Sequence, residues 1–143
     1  MQICNEARRE IAENGNLMCL NLNNKLFSSK AIKPLTEVLC NNTALTNLNL
    51  NNNMLGEYVG NSLAEALCKN TTSKNLNLGN SYSIDELAGK ALAEALCKNT
   101  TLTNLDLCGN RLGELVNKEL AEALCKNTTL IDLYLSSNSL GGS

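Results

Sequence analysis

The sequence predicts an α/β solenoid with a parallel sheet along a concave side and helices along a convex side. Three observations carry this. The stretch Leu102–Thr129, LTNLDLCGNRLGELVNKELAEALCKNTT, recurs in altered copies, and Cys40, Cys68, Cys97 and Cys125 mark it at intervals of 28, 29 and 28 residues. A fixed period of this length is the signature of stacked repeats. Each unit also carries two hydrophobic periods. Leu105 and Leu107 alternate with Asp106, as a strand requires, and Leu120, Ala121, Leu124 and Cys125 form the stripe of a helix. Finally, the 143 residues include no Trp, one Phe and three Tyr. Burial must come from Leu, Ala, Val, Ile and Cys, which suits thin repeated layers.

One strand and one helix cannot bury both of their apolar faces alone, but stacked copies can. Strands in a parallel sheet lie about 4.8 Å apart, whereas packed helices need about 8–10 Å. That mismatch bends the stack and leaves the strands on the inside of the curve.

Residues 1–16 resemble the second half of a repeat. Sliding them forward by one unit sets Ile11 on Leu39 and Ala12 on Cys40. The pattern predicts a capping helix from about Asn5 to Glu13, stopped by Asn14-Gly15. Residues 17–143 form the repeat domain, with four full units starting near 17, 45, 73 and 102 and a partial fifth from 130. The first unit uses Leu20, Leu22 and Phe27, with Lys25 in place of the asparagine; Pro34 predicts a helix from Pro34 to Cys40. The second reads Leu48, Leu50, Asn53, Leu55, Gly56, then Leu63 to Asn70. The third opens on Ser73 instead of leucine and carries one extra residue within Gly79–Ser83, before Ile84. The fifth has Leu133, Leu135, Asn138 and Leu140 but no helical half, so its apolar edge calls for further repeats or a covering partner. The closing Gly141-Gly142-Ser143 has the character of a cloning remnant.

The turns are specified as closely. Glu65–Lys69, Glu94–Lys98 and Glu122–Lys126 have the spacing of helical ion pairs. Asn70, Asn99 and Asn127 follow, where a left-handed residue closes a helix. Asn53, Asn110 and Asn138 stand where the chain leaves the strand, and their amides can bond the unpaired backbone of the turn and of the adjoining rung. Of four N-x-[ST] triplets, at Asn41, Asn70, Asn99 and Asn127, the last three fall at this one repeat position and Asn41 one residue before it, so the helix-closing role accounts for the recurrence without glycosylation.

The signature L-x-x-L-x-L-x-x-N-x-L-G stands at Leu45–Gly56, Leu102–Gly113 and Leu130–Gly141. On these residues the chain resembles a leucine-rich-repeat protein of the ribonuclease-inhibitor-like subclass, whose repeats carry a full helix. The resemblance implies a right-handed leucine-rich-repeat solenoid, a horseshoe arc with a parallel concave β-sheet and convex helices. The family includes nuclease inhibitors, immune receptors, GTPase activators and actin regulators, so it specifies fold more closely than function.

Several functions are disfavoured. A net charge of −2 with interleaved lysines and glutamates gives no nucleic-acid footprint. No segment approaches a membrane span, and the N-terminus lacks the apolar core of a signal peptide. With no His, the chain lacks the usual base for a Cys or Ser nucleophile and any His/Cys metal cluster. No enzyme activity, cofactor or metal is therefore expected. Cys19 and Cys108 point to the concave face but have no clear cation to activate them. The four periodic cysteines occupy one structural slot too widely spaced for disulfides; they read as small buried hydrophobes, reduced in a cytoplasmic protein.

What remains is a binding surface. One concave column reads Asn21, Asn49, Asn77, Asp106, Tyr134; a second reads Cys19, Asn47, Asn75, Asn104, Asp132. Asn49, Asn77, Asn104, Asp106, Asp132 and Tyr134 are the candidate protein-binding residues, anchored at Asp106, Asp132 and Tyr134, because an exposed Tyr beside acids suits a hot spot. The competing reading is that the asparagines record repeat duplication alone. The expected function is a non-enzymatic protein–protein interaction module acting through the concave face as scaffold, inhibitor or recognition domain, its partner unnamed. The alternatives are a GTPase-activating regulatory module and a self-associating repeat pairing through the uncapped C-terminal rung.

Overall fold

The computed structural model describes the backbone of residues 2–27, 29–56 and 58–141, with side chains there except at 2–4, 6, 7, 12, 29 and 31. The expectations for Ala12 and for Gly142-Ser143 lie outside the described residues. Helices and strands alternate: α1 (Gln2–Glu13), β1 (Cys19–Asn21), α2 (Ser29–Asn41), β2 (Asn47–Asn49), α3 (Val59–Lys69), β3 (Asn75–Asn77), α4 (Glu86–Lys98), β4 (Asn104–Asp106), α5 (Val116–Lys126) and β5 (Asp132–Tyr134). The strands form one parallel sheet in the order β1-β2-β3-β4-β5. Its hydrogen bonds continue past the strand ends, from Leu50 N to Asn77 O (2.8 Å) and from Leu78 N to Asp106 O (2.9 Å). Each helix packs on the next in chain order. This is an α/β fold with one helix between consecutive parallel strands.

The core lies between the sheet and the helices, and it repeats as the leucines do. Leu45, Leu50, Leu55, Leu63, Leu92, Leu102, Leu105, Leu107 and Leu112 are all fully or almost fully buried. Phe27 and Ile84 fill the same slot as Leu55 and Leu112. Ile11 of α1 is buried. Beside Ser73, a cavity of about 10 Å³ is lined by Leu39, Leu48, Leu63, Leu67 and Leu76, among others. The short serine leaves a gap that leucine fills in other repeats.

Two asparagine ladders tie the layers together. Asn53 Nδ2 donates to Leu22 O and Leu50 O (both 2.9 Å) while its Oδ1 accepts from Lys25 N and Phe27 N. One and two repeats beyond the third, Asn110 and Asn138 likewise donate back to Leu78 O and Leu107 O, and each Oδ1 accepts one backbone N–H, from Ile84 and Leu112 respectively. The bonds run back to the preceding rung. In the third repeat Ser81 holds this position; its hydroxyl reaches only Leu78 O, three residues away (3.0 Å).

Asn70, Asn99 and Asn127 build the second ladder, which corrects the expectation of left-handed helix ends. All three have extended backbones, near φ −74 and ψ 130. Their side chains do the closing: Nδ2 donates to Leu39 O, Leu67 O and Leu96 O at the end of the preceding helix. Each Oδ1 accepts two backbone N–H groups of the next turn. An amide that satisfies at least three backbone groups makes the unfavourable backbone conformation unnecessary.

Three further expectations change. α2 starts at Ser29, so Pro34 lies in its second turn; that costs one helical hydrogen bond, to the carbonyl of exposed Lys30. Of the three predicted ion pairs only Glu65–Lys69 forms among the described residues, at 2.7 Å, and Glu122 instead approaches Lys118 at 3.9 Å. The periodic cysteines are not buried: Cys68 and Cys125 are exposed and Cys40 and Cys97 half-buried. The small buried slot belongs to Ala66, Ala95 and Ala123, two residues earlier.

Candidate protein-binding surface

The strand register brings the sequence-derived columns together. Asn21, Asn49, Asn77, Asp106 and Tyr134 stand side by side, as do Cys19, Asn47, Asn75, Asn104 and Asp132. Alternation along each strand turns the leucines to the core and these residues to the opposite face. They line a groove of about 380 Å³ that runs from Cys19 to Tyr134.

The sheet face also constrains these side chains. Oδ1 of Asn49, Asn77 and Asp106 each accepts the backbone N–H two residues on (2.9 Å), so each ends its strand in an Asx turn. These residues are thus structural as well as surface-facing, a double use that the column pattern alone did not reveal. The Nδ2 groups of Asn49 and Asn77 have no hydrogen-bond partner among the described residues and face the groove as donors. Asn75 Nδ2 donates to Asn47 Oδ1 (2.9 Å), and Asn104 Nδ2 to Asp132 Oδ2 (2.6 Å). Asn104 also accepts from Thr103 Oγ1 (2.8 Å), so it orients Asp132 and has little left for a ligand.

The charge on this face is one-signed. The two columns hold the carboxylates of Asp106 and Asp132 and no cation. Tyr134, half exposed, stands beside Asp106 across the last strand pair. The groove therefore offers amide donors over β2–β3 and an acidic, aromatic end over β4–β5. Beyond it, Ser136 Oγ donates to Cys108 Sγ at 3.0 Å.

The helical side differs. Between α2 and α3, a polar hollow of about 480 Å³ is lined by Lys33, Glu37, Cys40, Glu65 and Lys69, among others. The Lys69 hydrogen bond holds the Glu65 carboxyl below its ordinary value and raises the Lys69 ammonium in return. Burial pushes the Cys40 thiol up, against the pull of Lys69. Among the described residues no three His, Cys, Asp or Glu side chains cluster as a metal site would, and no helix is long and apolar enough to cross a membrane.

No family model matches the chain, and no curated protein matches it. Solved structures do. The chain is similar to leiomodin-1 actin-binding site 2. The TM-score is 0.82 at 27% identity, over 93% of this chain and 79% of that one. It is also similar to the tropomodulin C-terminal domain of Caenorhabditis elegans, with a TM-score of 0.80 at 20% identity, over 94% and 81% of the two chains. The second likeness speaks to fold alone. The five-stranded parallel sheet and intervening helices fit a leucine-rich-repeat type of fold.

Proposed function

We propose that this chain is a non-enzymatic protein-binding module that takes actin as its partner through the sheet face. The observation that carries the partner is the 27% likeness, over nearly the whole chain, to a structure described as an actin-binding site. On this reading the stack is a right-handed horseshoe of the ribonuclease-inhibitor-like subclass, with a cap at 1–16, repeats over 17–143 and the sheet as its concave lining. The 28- and 29-residue periods and the full helices between strands support that assignment. The likeness to a cytoskeletal protein suits a cytoplasmic setting.

Binding is anchored at Asp106, Asp132 and Tyr134. The carboxylates meet lysine or arginine on the partner, Tyr134 supplies a large rigid contact, and the free amides of Asn49 and Asn77 donate to partner carbonyls. The test is titration of actin monomers and co-sedimentation with filaments, comparing wild type with the Asp106→Asn/Asp132→Asn/Tyr134→Ala variant. Asparagine keeps the Asx turn at Asp106 and removes only the charge. Loss of about 2 kcal/mol or more, roughly 30-fold, is the expected result. Equal binding by the variant would move the site elsewhere, and no binding by wild type would eliminate actin.

A further inference from the structure

The rim where strands run into helices carries a pattern separate from the sheet face. Leu26, Met54 and Tyr82 occupy one loop position in successive repeats, between β1 and α2, β2 and α3, and β3 and α4. Tyr58, Leu87 and Leu115 occupy a second position, at the start of α3, α4 and α5. All six are between 61% and 76% exposed. Exposed apolar residues scattered singly need no explanation, but two aligned rows do.

The backbone adds an independent sign. Leu26 and Tyr82 sit at φ 54 and 52, in the left-handed region. A branched or aromatic side chain is disfavoured there, where glycine is free. At these positions the strained residue keeps most of its surface in solvent. Strain retained for an exposed apolar group is expected of a contact surface.

We infer that this rim is a second docking surface, and that its occupant is an amphipathic helix of a protein partner. Area supports a protein contact: six large side chains so exposed offer on the order of 800 Å², about one partner's share of a standard interface. Spacing supports a helix. Equivalent positions in adjacent repeats lie between ~4.8 Å on the strand side and ~8–10 Å on the helix side, and a helix advances about 5.4 Å per turn. A helix laid along the stack therefore meets the rows with apolar residues at i, i+3 or i+4, and i+7. Charge disfavours a bilayer, because Lys25, Lys30 and Arg111 on this rim are offset by Asp85, Glu86 and Glu114.

The experiment is selection from a displayed library of randomised helical peptides about 16 residues (~24 Å) long. Wild type is the target, and a Met54→Ser/Tyr58→Ser/Leu87→Ser variant is used for counter-selection. Enriched peptides should share the apolar stripe, and a synthetic one should bind wild type at least about tenfold more tightly than the variant. Leu26→Gly should raise the urea midpoint by relieving strain yet weaken the same peptide, an opposition that a purely structural residue would not produce. Failure to enrich striped peptides, or equal binding to the variant, would overturn the inference. So would rim-dependent sedimentation with phosphatidylcholine–phosphatidylserine vesicles, or a concentration-dependent dimer that the variant abolishes. Actin titration of the rim variant separates the two surfaces: unchanged affinity is expected, and lost affinity would merge this rim with the actin site.

Discussion

Asn110 connects two rungs and a turn through one amide. Its Nδ2 donates to Leu78 O and Leu107 O (both 3.0 Å), and its Oδ1 accepts from Ile84 N (3.4 Å). Asn110→Ala leaves the buried Ile84 N–H without its partner, at about 1–3 kcal/mol, while Leu78 O keeps the Ser81 hydroxyl and Leu107 O keeps Asn138. Urea unfolding should show a loss of about 2 kcal/mol. Asn138 makes the corresponding bonds but is half-buried, and the Leu107 carbonyl it contacts keeps Asn110. Asn138→Ala should therefore cost only about 1 kcal/mol. Equal losses would mean that burial does not set the cost of removing the turn amide. The sequence showed this ladder because asparagine recurs at a fixed offset after a strand. It did not show how Asn70, Asn99 and Asn127 work, since an asparagine closes a helix either by backbone conformation or by side chain. The cysteines misled for a related reason: at the edge of a helical stripe, periodicity does not separate the buried slot of Ala66, Ala95 and Ala123 from its exposed neighbour.

At the scale of elements, the contact between α3 and α4 depends on a residue that helix propensity disfavours. Gly60 is buried in α3, and a methyl group there would overlap the side chain and backbone of Ala88 in α4. Propensity alone says Gly60→Ala gains about 1 kcal/mol, whereas overpacking against a neighbouring helix costs about 1–3 kcal/mol. Backbone atoms of Ala88 cannot swing aside, so the clash decides the sign and the variant should be less stable by about 1–2 kcal/mol. A rise in the midpoint of thermal unfolding would show that α4 can shift. Such contacts are hard to read from sequence, because the glycine lies outside the leucine signature. The sheet columns were easier: period-two alternation and a fixed repeat length place Asn49, Asn77, Asp106 and Tyr134 in one row without reference to packing. The Asx turns were missed because they depend on the backbone two residues on. The apolar rim was missed because exposed leucines in irregular loops have no period within one repeat; they align only when repeats are compared.

At the scale of the whole molecule, stability passes from layer to layer through neighbours. Layers should therefore differ where their neighbours differ. Leu102, Leu105, Leu107 and Leu112 are fully buried, while Leu130, Leu133, Leu135 and Leu140 are only half-buried and Ile131 is 77% exposed. A second weakness lies inside the stack, between the second and third repeats. There Ser81 fails to bridge back to the Leu50 carbonyl, and the small cavity beside Ser73 lies against Leu48 and Leu76. On the helical side Gly60 lets α3 and α4 close tightly, so the seam is confined to the sheet and turn side. Hydrogen exchange can resolve this. The Leu50 and Asn52 amides bond Asn77 O and Gly79 O across the seam, while the Leu78 and Asn80 amides make the same bonds one repeat further on, to Asp106 O and Cys108 O. Bond lengths differ little between the two sets, so any difference in protection reports the surrounding support. Leu50 and Asn52 should exchange faster than Leu78 and Asn80, and β5 should exchange faster than β4. Equal protection at the two seams would mean that the packed helices alone set the coupling, leaving the missing asparagine without energetic consequence.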